Sequence, residues 1–82
     1  MKIYVRNLPL SIADKELENL FAIHGQIVSA QVVTDRECSQ SRGFGFVEMD
    51  RENGNRAISA LDGYEIEPHA LRVHEAQMKE NV

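Results

Sequence analysis

The run Arg42-Gly43-Phe44-Gly45-Phe46-Val47-Glu48-Met49 constrains this chain more than any other segment. Side chains along a strand alternate between its two faces. Arg42, Phe44, Phe46 and Glu48 therefore share one face, and Gly43, Gly45, Val47 and Met49 share the other. Val47 and Met49 are natural core residues, so both phenyl rings turn away from the core. A sheet covered on both faces would set its second layer against alternating glycines, which pack poorly in mid-strand. The octamer predicts a sheet with one covered face and one open, aromatic face.

The flanking sequence supplies the elements for such a sheet. Lys2 to Arg6 alternates, with Ile3 and Val5 on one side and Lys2, Tyr4 and Arg6 on the other, before Leu8-Pro9-Leu10-Ser11 breaks the strand. Leu17, Leu20 and Phe21 follow at helical spacing, with Asp14, Glu16 and Glu18 near the positive end of the helix dipole and Gly25 as the stop. Ala13 is a poor N-cap, which Ile12 and Leu17 offset in part as a hydrophobic staple. The β-branched stretch Ile27 to Thr34 predicts a second strand, joined by the polar turn 35–41 to the third. Asp50 caps a second helix whose inner face is Gly54, Ala57, Ile58 and Leu61. The mid-helix glycine costs about 1 kcal/mol relative to alanine, so this helix is expected to be the softer one. A short extended piece from Tyr64 to Ile66, a turn at Glu67-Pro68-His69 and a fourth strand from Leu71 to Glu75 complete the order.

Strand, helix, strand, strand, helix, strand with right-handed crossovers is an α+β, ferredoxin-like split βαβ sandwich (βαββαβ). Its four-stranded antiparallel sheet carries both helices on one face. Residues 1–76 read as one domain and 77–82 as a flexible C-terminal tail.

With 82 residues, nearly every apolar side chain is needed for a single core, and no second catalytic lobe fits. Cys38 is the one cysteine, which excludes an intramolecular disulfide and a cysteine-based metal cage. That usage fits a reducing compartment, and a cytoplasmic location is expected. Arg6 and Asn7 interrupt any N-terminal apolar run, and no stretch approaches the roughly 20 apolar residues of a membrane span. The expectation is a soluble, unsecreted monomer with no membrane partner. His24, His69 and His74 are scattered, so neither a metal nor another cofactor is expected.

The net charge of −4 runs against a nucleic-acid partner, since phosphate binders usually carry a basic excess. Placement answers part of that objection. Alternation adds Gln31 and Val33 from the second strand and Arg72 and His74 from the fourth to the open face. Lys2, Arg6, Arg42 and Arg72 then stand there against Glu48. The acidic surplus, such as Asp14, Glu16, Glu18, Glu52 and Glu67, falls on helices and turns. Exposed rings offer π-faces to unstacked bases, and an arginine at their edge can meet a phosphate.

These residues carry a resemblance. The octamer 42–49 is similar to the signature of the RNA recognition motif family at every specified position but the last, where Met49 replaces an aromatic. Position 49 points into the core, so that departure affects packing and not binding. Ile3-Tyr4-Val5-Arg6-Asn7-Leu8 resembles the family's partner hexamer, and the likeness covers essentially the whole chain, nearest to the small single-domain bacterial RNA-binding members. The resemblance implies single-stranded RNA as partner, with Tyr4 and Phe44 stacked on bases, Phe46 against sugar or base, and Arg42 on a phosphate. Two departures weaken binding. Cys38-Ser39-Gln40 stands where a Thr-Gly-basic run is common, and Pro68-His69 where a Gly-basic pair is common.

The expected function is thus RNA binding through Lys2, Tyr4, Arg6, Gln31, Arg42, Phe44, Phe46, Arg72 and His74, in the manner of an RNA chaperone or post-transcriptional regulator. The alternatives are single-stranded DNA binding, or a protein-interaction module on the same rings. Net acidity favours the protein partner, and the intact Arg42, Phe44 and Phe46 set disfavours it. No nucleophile–base pair, carboxylate dyad or phosphate-cradling loop is present, so catalysis is not expected.

Overall fold

The computed structural model describes residues 1–66 and 68–76. The tail expected over 77–82 lies outside them, as does Glu67. The elements run β1 (Lys2–Arg6), α1 (Asp14–Ala22), β2 (Ile27–Thr34), β3 (Ser41–Met49), α2 (Arg51–Leu61), β4 (Glu65–Ile66), β5 (His69–Ala70) and β6 (Arg72–Glu75). Four strands form one antiparallel sheet in the order β2-β3-β1-β6. The expected βαββαβ sandwich is the fold observed. One detail differs: the piece after α2 and the turn beyond it form a two-residue ladder of their own, β4 on β5, before the chain joins the sheet as β6.

The covered face follows from alternation. Ile3 and Val5 of β1, Val47 and Met49 of β3 and Val73 of β6 meet Leu17 and Phe21 of α1 and Ala57 and Leu61 of α2, all of them buried. Met49, the departure from the family's octamer, is 1% exposed, as its place in the strand requires. Burying a side chain of this size contributes roughly 1.5–3 kcal/mol, and this one layer of contacts is the domain's core. The molecule is only 18 Å deep on its short axis against 35 and 34 Å on the others, as one sheet and one helix layer demand.

Acidic side chains hold several of the joints. Asp50 Oδ1 accepts the Asn53 N–H at 2.9 Å and caps α2, as expected from its position. Ala13 cannot cap α1, but Glu16 Oε1 reaches back to the Ala13 N–H at 2.9 Å, half of a capping box. The two outer strands of the sheet carry outward backbone donors, which invite edge-to-edge pairing. On β2 the Val32 N–H goes to Asp14 Oδ1 at 2.7 Å, and on β6 the Val73 N–H goes to Asp62 Oδ1 at 3.0 Å. A carboxylate from the first residue of α1 and one from the residue that follows α2 therefore each occupy one edge. In α2 the buried Gly54 lies where a side chain would run into Met1 Sδ, so the helix gives up propensity for a close approach to the start of β1.

Candidate nucleic-acid interface

Strand pairing brings the helix-free residues together in rows. Tyr4 lies between Phe46 of β3 and His74 of β6, and Arg6 lies between Phe44 and Arg72. Gln31 of β2 is opposite Phe46 on its other side, while Lys2 and Ser29 flank Glu48. Tyr4, Phe44 and Phe46 are each half-buried and lie against one another.

The rings are not equivalent. Tyr4 and Phe46 lie parallel to within 16°, centroids 5.2 Å apart. Phe44 stands at 89° to both, 5.8 Å from Tyr4 and 6.4 Å from Phe46. His74 extends the cluster with an edge contact to Tyr4 at 5.3 Å. Edge-to-face and offset arrangements are the ones aromatic quadrupoles favour, so the cluster is pre-ordered without a ligand.

Cations border the rings. Lys2 Nζ lies 4.9 Å from the Phe46 centroid, the Arg6 guanidinium carbon 5.8 Å from Tyr4 and that of Arg42 6.0 Å from Phe44. Their distribution is uneven. By register Arg6, Arg42 and Arg72 gather at the end of the sheet where β1 leaves it, whereas Lys2 sits at the other end opposite Glu48. The ion pairs among the described residues, Arg51 with Glu75 and Arg56 with Glu52, engage the arginines of α2 and none of these four. Arg6 and Arg72 are direct cross-strand neighbours, an arrangement that like charges destabilise and that an anion between them relieves. Beside them Asn7, Ala70 and the two arginines line a depression of about 420 Å³.

Two residues sit beside irregularities of the strands. Val33 lies where the β2–β3 register slips between Val32 and Thr34, so it has no direct cross-strand partner, while Val32 before it is buried and Val33 is half-buried. Arg42 keeps its place at the ring cluster, although Gly43 beside it has φ +82° and breaks the regular pleat. Sequence reasoning missed Ser29, which the period of two from Gln31 would have found. It also missed Asn7. Asn7 holds φ +63° at the end of β1, its side-chain amide donates to the Ala70 carbonyl at 2.9 Å, and its Oδ1 lies 3.3 Å from His69 Nδ1. An asparagine leaving a strand tolerates that backbone region better than most residues, and this was the available signal.

Among the described residues no three His, Cys, Asp or Glu side chains are placed to hold a metal ion, and no helix is long and apolar enough to cross a membrane.

Comparison with known proteins agrees with this geometry. The family model for the RNA recognition motif matches residues 3–72. The chloroplast RNA-binding protein CP31B of Arabidopsis thaliana is 52% identical over 77 residues, which are 93% of this chain and 27% of that protein. RbpA of Synechocystis sp. is 42% identical over 82 residues, covering 99% of this chain and 81% of RbpA. The chain thus spans about a quarter of CP31B but most of the cyanobacterial protein. Among solved structures, the RNA binding protein PG1 superposes with a TM-score of 0.90 at 43% identity, each chain covered to 99%. A solved complex of the Sex-lethal protein with RNA gives 0.85 at 36% identity, over 92% of this chain and 47% of that one. With its two motifs on adjacent central strands, its rings on the bare face and a family match over nearly its full length, this chain belongs to the RNA recognition motif family.

Proposed function

We propose that the domain binds single-stranded RNA on the open face of its sheet, with Tyr4 and Phe46 as base platforms and Phe44 as a wedge. The observation that carries this reading is the parallel pair Tyr4 and Phe46 crossed by a perpendicular Phe44 on the side the helices leave bare. Parallel rings can each take a base, and a ring at right angles to both fits the sugars between them. This reverses the roles that resemblance alone assigns to Phe44 and Phe46. CP31B is named as an RNA-binding protein and Sex-lethal has been captured with RNA, which supports the same choice of ligand.

Phosphates belong at the arginine end, between Arg6, Arg42 and Arg72. Part of the acidic surplus behind the net charge of −4 has structural work, since Asp14, Glu16, Asp50 and Asp62 accept backbone hydrogen bonds away from the rings. The domain acts by binding and not by turnover, as a chaperone or regulator of RNA does. The lone exposed thiol of Cys38 suits the cytoplasm.

Stacking contributes roughly 1–3 kcal/mol per ring, and ordering a flexible strand offsets part of it. A net −8 kcal/mol, or about 1 μM, is the expected scale. Fluorescence anisotropy with a labelled RNA octamer, single-stranded and as a duplex, tests the reading. The single strand should bind at least about tenfold more tightly, because paired bases cannot reach the rings. With about three phosphate contacts, log K should fall with log salt at a slope of roughly −2. Equal affinity for duplex and single strand contradicts stacking.

A further inference from the structure

Glu48 is an anion on a surface that otherwise attracts phosphates, and it takes no part in the ring cluster or the arginine end of the sheet. A cross-strand ion pair would be the ordinary explanation, since Lys2 is its direct neighbour on β1. That pair is not made. Lys2 directs its ammonium over the Phe46 ring at 4.9 Å, and among the described residues no hydrogen bond or ion pair engages the Glu48 carboxylate. The carboxylate is exposed, two positions along β3 from Phe46 and on the same face. It therefore stands roughly 7 Å along the strand from the ring that carries a base. Gln31 borders the same ring from β2.

We propose that Glu48 and Lys2 form a base-reading subsite selective for guanine stacked on Phe46, an inference that rests on the RNA-binding reading above. The reasoning is hydrogen-bond complementarity. An ionised carboxylate only accepts, and an ammonium only donates. Guanine's Watson–Crick edge presents one acceptor, O6, followed by two adjacent donors, N1–H and the N2 amino group. The two donors match the two oxygens of Glu48, and O6 faces the ammonium of Lys2 or the amide of Gln31. No other base fits both partners. Uracil sets a carbonyl on each side of its single donor, so one oxygen of Glu48 would meet an acceptor. Cytosine and adenine each offer one amino group beside a ring nitrogen that accepts. Bases freed from a duplex are read on this edge by RNA-binding domains, and charge-assisted bidentate contacts are the strong ones.

The test uses the intact chain and four RNA octamers: all-uridine, and uridine with a single central guanosine, inosine or cytidine. Inosine is guanosine without the N2 amino group. For the unmodified protein the guanosine octamer should bind roughly tenfold more tightly than the cytidine one, and several-fold more tightly than the inosine one. With Glu48→Ala the three substituted octamers should converge to within about twofold, while all-uridine binding strengthens because the anion has gone. Glu48 is exposed outside the core, so the variant should fold, and circular dichroism checks that it does. A guanosine preference that survives Glu48→Ala, or no preference in the unmodified protein, overturns the subsite. If all octamers bind equally well and binding still needs the aromatic rings, the subsite fails and RNA binding stands. If none binds, RNA binding fails and takes the subsite with it.

Discussion

Replacing Phe44 and Phe46 together by alanine is expected to lower RNA affinity by about a hundredfold while the domain stays folded. Phe46 contributes roughly 1–3 kcal/mol as a base platform, and removing Phe44 takes away the sugar contacts and the edge contacts it makes with both platform rings. Loss of both moves a dissociation constant of about 1 μM to about 0.1 mM. The effect is selective because these rings belong to a different set of contacts from the core. The buried cluster consists of residues such as Ile3, Val5, Leu17, Phe21, Val47 and Val73, all at or near zero exposure. The substitution removes the contacts of Phe46 with Tyr4 and of Phe44 with both. Such pairs are worth about 0.5–1.5 kcal/mol each, so the melting temperature should fall while cooperative unfolding persists. Anisotropy titration and a thermal melt on the same preparation separate the two effects.

Gly45→Val should act in the opposite sense and cost the fold itself, by about 3 kcal/mol or more. Gly45 lies in mid-β3 between Val5 and Val32. A Cβ at this position would sit 2.5 Å from the Gln31 carbonyl oxygen, 3.0 Å from Val32 Cα and 3.2 Å from Leu17 Cδ2. Two of these three neighbours are backbone of the adjacent strand and cannot rotate aside, so β2 would have to part from β3. Domains of this size have only about 5 kcal/mol of stability to lose, and each kcal/mol shifts the melting temperature by roughly 4–8 °C. A thermal melt of Gly45→Val within a few degrees of the unmodified protein would show that the strands do not approach so closely.

Gly45 also shows what alternation can and cannot reveal. The pattern Phe44-Gly45-Phe46-Val47 discloses which face is open, because large and absent side chains cannot share a layer. It makes the glycine look like a weak point in the strand. Its purpose, the close passage of β2, depends on a residue 14 positions away and is invisible locally. The ring roles are a similar case. A period of two places Tyr4, Phe44 and Phe46 on one face but says nothing about side-chain torsions, and those decide which rings lie parallel. That Val33 lacks a direct cross-strand partner is illegible in the sequence, because a register slip is a property of two strands together. The tasks of Asp14 and Asp62 were hidden for the same reason, since each bonds to a strand 18 or 11 residues away. Composition then counted these carboxylates against nucleic-acid binding, although they hold the sheet's edges away from the rings.

Backbone amide shifts recorded while a single-stranded RNA octamer is titrated into the isotope-labelled chain test the central claim most directly. The rings of β1 and β3 as a base platform require the largest changes at Tyr4, Arg6, Arg42, Phe44 and Phe46, with little change along the outer faces of α1 and α2. Changes centred on the helices, or none at the ring positions at saturating RNA, would contradict it.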